Sequence, residues 1–430
     1  MTVRGSSAGA AGRWAVALAG AVSLAVAMGL GRFAFTPLLP MMLHDGVIDL
    51  HAASWLASAN YLGYLAGALL CTFQPWLWAR APRLPPVNGP RLVRTGLVAT
   101  GLLTLGMALP VPAVWPLLRF AAGVASAVVF VYTSGWCLTQ LALRNAAALG
   151  GVMYTGPGAG IVVSGLFASG MVHWHGRAAT GWAIFGGLAF LLTALVWRIF
   201  RSGTGSGSGS GSDTSVQPAA GASPAIASNG ASHGRTEISC LAFAYGLAGF
   251  GYIVTATFLP VIAREALPGS AWLDMFWPIF GLGVVVGALL STRLRVSGDL
   301  RLLLAGSYVI QASGIGISVA SPSLAGFAIG SLMLGLPFTA ITFFAMQEVR
   351  RLRPGLAASF IGLLTAMYGT GQIVGPPLVA LLLKRSATAG AGFTLSLEIA
   401  ASALLFGAGL YLWMVKAYPM RRSRFSHPPA

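Results

Sequence analysis

The stretch Gly29–Pro40, G-L-G-R-F-A-F-T-P-L-L-P, decides how the rest of the chain reads. It lies inside a long apolar run and carries one charge, Arg32, between a glycine pair and two prolines. Near mid-bilayer a charged side chain costs at least ~2.5–3.5 kcal/mol, so an ionisable group kept there points to function. A related string, G-L-A-G-F-G-Y-I-V-T-A-T-F-L-P, returns at Gly246–Pro260. Phe33 and Phe35 become Phe250 and Tyr252, and Arg32 becomes Gly249. Two copies of one membrane element are therefore present, and only the first is charged.

Working outward, the 430 residues are 56% hydrophobic and 8% charged. Soluble domains carry about 25% charged residues, so the solvent for this surface is lipid. Twelve apolar segments approach the ~20 residues that cross a bilayer. They run over 14–42, 53–78, 92–109, 113–141, 147–172 and 179–199. After a gap come 238–263, 271–292, 302–320, 323–347, 356–383 and 393–417. The first run is longer than the apolar core of a secretory signal and holds the recurring motif, so it reads as a retained helix. The expected fold is an all-α membrane protein with twelve transmembrane helices in two six-helix bundles, 1–200 and 237–420. A flexible Gly/Ser-rich linker, 201–236, joins them, and 421–430 forms a tail.

The net charge of +17 sits at the ends of apolar runs, which reads as the positive-inside rule and not as a nucleic-acid surface. Of the 26 Lys and Arg, twenty fall at the end that holds both termini and the linker. Only Arg177, Arg264, Lys384 and Arg385 fall at the other, and Arg32 and Arg119 lie within segments. Both termini are therefore expected in the cytoplasm. Cys71, Cys137 and Cys240 are odd in number and without metal-like spacing, so they read as small buried apolar residues. His173 and His175 make an incomplete metal site, and no metal or other cofactor is expected.

The repeat extends further. Leu62–Leu70, L-G-Y-L-A-G-A-L-L, matches Leu282–Leu290, L-G-V-V-V-G-A-L-L, and Met153-Tyr154 is echoed by Met367-Tyr368. Parallel repeats of six helices are a layout of secondary transporters, with the solute site near the midplane between them.

These residues resemble the major facilitator superfamily over essentially the whole chain, and within it the bacterial YbfB/YjiJ-like subgroup. The resemblance is carried by G-R-F-A-F-T-P-L-L-P at Gly31–Pro40, A-N-Y-L-G-Y at Ala59–Tyr64 and Y-G-L-A-G-F-G-Y at Tyr245–Tyr252. Arg119 in R-F-A-A-G looks like the superfamily's fourth-helix arginine. G-P-G-A-G at Gly156–Gly160 looks like its fifth-helix Gly-Pro motif, associated with antiport. The loop after the second segment, Gln74–Arg83, lacks the family's Asp-Arg pair, so its gating details do not carry over. The resemblance implies a bacterial inner-membrane protein working as a monomer.

No acid lies within the first six segments to neutralise Arg32 or Arg119. They read either as an electropositive floor for an anionic or oxygen-rich solute, or as donors to helix-end and proline-freed carbonyls. Arg119, Ser126, Thr133 and Gln140 recur every seven residues and form one polar stripe, facing protein or a water cavity. Asn60 and Tyr64, Tyr252 and Thr255, and Tyr368 and Gln372 extend the candidate solute site. Gly63/Gly67 and Gly371/Gly375 read as close helix contacts. Gly156, Pro157 and Gly160, with Gly375 and Pro376, read as bend points for gating. Glu398, the one acid within a segment (the twelfth), and Asp274, which flanks the outer loop before the eighth, are the candidates for proton coupling.

No H-E-x-x-H, G-x-S-x-G or cofactor fingerprint is present, so an enzyme is not expected. The expected activity is secondary transport of a small organic solute by alternating access. Proton-linked export is ahead of uptake by symport, and both are ahead of a non-transporting sensor.

Overall fold

Lipid offers no water to backbone N–H and C=O groups, so a chain this apolar must close its hydrogen bonds within helices. A computed structural model describes residues 4–80, 87–202, 235–270, 272–293, 298–352 and 357–419, and among these every regular element is helical. The core of the expected linker and the 421–430 tail lie outside the described residues.

The first apolar segment is α1, Arg4–Leu24, which passes into one wide turn at Ala25–Leu30 and, after Gly31–Ala34, into α2, Phe35–His44. The second to fourth segments are α3 (Leu50–Arg80), α4 (Gly89–Gly106) and α5 (Trp115–Leu143). The fifth is split into a single turn, α6 (Gly150–Met153), and α7 (Gly156–His173), and the sixth is α8 (Ala178–Ser202). The second half runs α9 (Arg235–Ala266), α10 (Phe276–Arg293), α11 (Leu300–Ala320), α12 (Leu324–Gly335), α13 (Phe338–Leu352), α14 (Ala357–Arg385) and α15 (Ala389–Ala417). Among the described residues, eleven stretches are helical, long and apolar enough to span a membrane. The one expected segment outside the eleven is the third, α4. Arg91 and Arg94 occupy its first two turns, and its 18 residues span about 27 Å.

Helix ends follow local chemistry. Asn88, Asp299, Ser323 and Thr388 each accept a backbone N–H in the first turn of α4, α11, α12 and α15. Such caps satisfy donors that the helix itself leaves open.

The pairing of helices repeats between halves. Within the first, α3 packs on α5, α4 on α8, and the α1 region on α7; within the second, α10 packs on α12, α11 on α15, and α9 on α14. Across the halves α3 meets α14 and α7 meets α10, and exchanging halves exchanges these two contacts. Small residues make the crossings close. A Cβ on Gly63 would lie 2.0 Å from the Phe120 carbonyl oxygen, and one on Gly29 would lie 2.4 Å from Gly160 Cα.

The two copies of the opening motif differ. The uncharged copy is one continuous helix, α9, whereas the charged copy is broken. In the wide turn the N–H of Gly31 reaches Val26 and that of Phe33 reaches Met28, each five residues back. Such wide turns cluster at functional sites. Pro37 has no N–H to offer, and Thr36 N–H takes the Phe33 carbonyl instead, at 3.2 Å.

The expected bend at Pro157 is placed differently. The fifth segment breaks at Tyr154–Thr155, and Pro157 sits in the first turn of α7, where a missing N–H costs nothing. Gly156 and Gly160 let α7 approach the first helix, since Cβ atoms there would lie 2.1 Å from Ala21 O and 2.6 Å from Ala25 O. Pro376 and Pro377 do lie inside a helix, α14, and Gly375 meets Ile253 of α9. The tenth segment carries a break that the sequence reading missed, at Leu336-Pro337 between α12 and α13.

Candidate functional site

Arg32 lies in the break of the first helix and is 2% exposed. Its guanidinium sits 4.0 Å from the centroid of Tyr64, 5.2 Å from Tyr61 and 5.4 Å from Phe33. A cation over aromatic faces gains roughly 0.5–2 kcal/mol each, more as water is excluded. Among the described residues its one hydrogen bond runs across the halves: Nη2 donates to Gln372 Oε1 of α14 at 2.7 Å. Gln372 Nε2 in turn donates to the Tyr252 hydroxyl of α9. Tyr252 stacks on Tyr368 (5.8 Å, 20°) and packs edge-on against Phe338 (4.9 Å), and Tyr368 lies 4.8 Å from Tyr245. Phe338, just after the break of the tenth segment, also touches Phe33 at 6.3 Å. The two broken helices therefore meet ring to ring beneath Arg32.

A guanidinium has five N–H donors. Arg32 uses one on a neutral amide, its Nε has no partner, and no described carboxylate lies within ion-pair distance of it. The group is held in place and left electrically uncompensated.

Arg119 has a different task. From α5 it donates through Nη1 to Gly31 O at 3.3 Å and through Nη2 to Arg32 O at 3.2 Å, two carbonyls of the break, with its guanidinium 4.9 Å from the Phe35 ring. Of the two roles open to Arg119, the carbonyl-satisfying one is the one seen. Ser126, two turns on, lies 2.7 Å from the carbonyl of Ala27 in the wide turn and 2.8 Å from that of Ala122. Arg119 and Ser126 of the α5 stripe thus face the irregular backbone of the first helix, which membrane interiors tolerate only when protein satisfies it. Asn60 Nδ2 donates to the Arg119 carbonyl and fastens α3 to this layer.

The other expected residues separate from this centre. Thr133 and Thr255 are buried, and their hydroxyls have no partner among the described residues. Gln140 lies at the far end of α5, paired with Arg144. Asp274 pairs with Arg264 beside an outer groove of about 440 Å³ that also takes in His173 and Trp174. Glu398 is exposed on α15. Neither acid reaches Arg32.

Tyr61 and Phe338 were missed from sequence, because an aromatic residue in an apolar segment looks like packing. Missed too was a third buried arginine. Arg301 binds Glu237 at 2.9 Å and Asp299 at 2.7 Å, lies 3.7 Å from Glu348, and donates to the Met414 and Tyr418 carbonyls. Burial pushes the Asp299 carboxyl up, but hydrogen bonds and charge from Arg301 outweigh this and hold it below the usual carboxylate range. Arg301 is a fully paired structural knot; Arg32 is its unpaired counterpart.

Three more hydrogen bonds cross the halves beside Arg32. Thr36 donates to Ala256 O at 3.1 Å, Ser58 to Ile373 O at 3.1 Å, and the Tyr61 and Thr257 hydroxyls hydrogen-bond each other at 2.8 Å. Ala256 and Ile373 stand four residues before Pro260 and Pro377, so their carbonyls are the ones that lose a helical donor. Hydroxyls from the opposite half take that place.

A mostly apolar array of membrane-length helices, repeated between halves and enclosing an acid-free arginine at their junction, defines a multi-pass membrane protein of the transporter class. The family model described as "Uncharacterised MFS-type transporter YbfB" matches residues 24–412. The chain belongs to that family of major facilitator transporters. No curated protein matches it.

Proposed function

We propose that this chain is a secondary transporter that moves a small organic anion across the bacterial inner membrane by alternating access. The supporting observation is Arg32: buried, without an acid partner, and held by the neutral Gln372 of the other half. A carboxylate takes two parallel N–H bonds from a guanidinium fork, and such charge-assisted bonds are about twice as strong as neutral ones. An incoming anion therefore displaces Gln372, removes one tie between the halves and neutralises the charge. The twelve helical segments, α4 among them, form two six-helix bundles joined by 201–236, with both termini in the cytoplasm. The halves rock about the α3·α14 and α7·α10 contacts. Proton-linked export accords with the G-P-G-A-G resemblance.

Flux of organic acids into proteoliposomes under a pH gradient of either sign tests this. Gradient-driven movement of an acid that Arg32→Ala abolishes is the expected result. Transport of neutral solutes or cations with Arg32→Ala unaffected would overturn it.

A further inference from the structure

The rings around Arg32 narrow the solute further, on the reading that Arg32 receives an anion. One face of the guanidinium is covered by Tyr64 at 4.0 Å. Its Nε and the edge shared with Gln372 remain as hydrogen-bonding positions. Arg119 is occupied by the Gly31 and Arg32 carbonyls, so a single fork is open. Beyond Gln372 the surroundings turn to aromatic faces: Tyr252, Tyr368, Tyr245 and Phe338, with centroid separations of 4.8 to 5.8 Å. Tyr252 and Tyr368 are within 20° of parallel. Offset, near-parallel rings of this kind present faces on which a further planar group stacks favourably. Gln372, the group an anion displaces, hydrogen-bonds both Arg32 and Tyr252 of that pair.

We infer that the solute is an aromatic carboxylate, its carboxylate on the Arg32 fork and its ring against Tyr252 and Tyr368. An aliphatic acid of equal size would meet the same fork but gain no stacking. An uncharged aromatic would stack but leave the arginine uncompensated. Aromatic pairs add about 0.5–1.5 kcal/mol beyond area burial, or roughly two- to tenfold in affinity.

The test is displacement of radiolabelled benzoate from proteoliposome-reconstituted full-length protein by unlabelled benzoate, cyclohexanecarboxylate and benzamide, with flux of labelled benzoate and labelled cyclohexanecarboxylate in parallel. Wild type is expected to favour benzoate two- to tenfold over cyclohexanecarboxylate and to ignore benzamide. Tyr368→Leu should abolish the preference of benzoate over cyclohexanecarboxylate. Equal competition by the two acids, or cyclohexanecarboxylate flux with no benzoate binding, would overturn the aromatic assignment and leave the anion reading standing. Absence of Arg32-dependent flux of either acid would overturn both.

Discussion

At the scale of single residues, two buried arginines of one chain show what burial asks of a charge. Arg301 is surrounded by Glu237, Asp299 and Glu348. Removing one partner of a buried pair costs about 3–5 kcal/mol, because it strands the others. Arg301→Ala is thus expected to lower the thermal midpoint of the detergent-solubilised protein strongly. The Asp299 share depends on pH. Its folded pKa is depressed, so its stabilisation is complete above the unfolded value near ~3.9 and is lost as pH falls through the folded value. The thermal midpoints of wild type and Asp299→Asn should differ by a constant amount near neutrality and converge only below about pH 4. Arg32 has no such partners, so its charge is kept for something that arrives. Arg32→Lys retains the charge but not the fork, and is expected to weaken the apparent affinity for a carboxylate by roughly 10- to 150-fold, the equivalent of ~1.5–3 kcal/mol. Arg32 was legible in the sequence because a charge in an apolar run has few explanations. Tyr61 and Phe338 were not, because what distinguishes them is the neighbour they meet, and those neighbours lie far away in the chain.

At the scale of elements, the prolines have a role that spacing alone could not disclose. Pro377 removes the donor for Ile373 O, and Ser58 of α3 supplies another. Pro260 does the same to Ala256 O, which Thr36 of α2 satisfies. Ser58→Ala should therefore destabilise the solubilised protein by about 0.6–1.7 kcal/mol, the range of hydrogen bonds within membranes. In a Pro377→Ala background, where α14 regains its own N–H, the same substitution should cost nearly nothing; an unchanged cost would contradict the assignment. A second contrast concerns glycines. Gly160→Ala would drive a Cβ to 2.6 Å from the Ala25 carbonyl oxygen, whereas nothing lies within 4 Å of a Cβ at Gly170. Overpacking costs about 1–3 kcal/mol, so Gly160→Ala should lower the thermal midpoint and Gly170→Ala, on the same helix, should not. The sequence reading placed Gly156–Gly160 at a bend. In the fold these glycines mark a close crossing, and the bend residue Pro157 serves as a helix start. G-P-G suits either use, and only the partner helix decides between them.

At the scale of the whole molecule, apolar length and the internal repeat made the helical membrane class readable. The first helix begins at Arg4, ahead of the expected start at 14; the other segment bounds agree with the helices to within about five residues. What the repeat could not show is that its copies diverge: α9 is continuous while its charged counterpart is broken, its freed carbonyls taken by Arg119 and Ser126 from α5. The halves are stitched at this level by four side-chain bonds, from Arg32, Thr36, Ser58 and Tyr61. Only the first of these competes with an anion.

The most direct measurement is therefore made on Gln372→Glu, which builds a permanent carboxylate onto Arg32. Organic-acid flux and thermal midpoint would be read on the same purified variant. If Arg32 is the anion acceptor and the tie between halves, flux collapses while the thermal midpoint rises or holds. Undiminished acid flux in a folded Gln372→Glu protein would contradict the account at its centre.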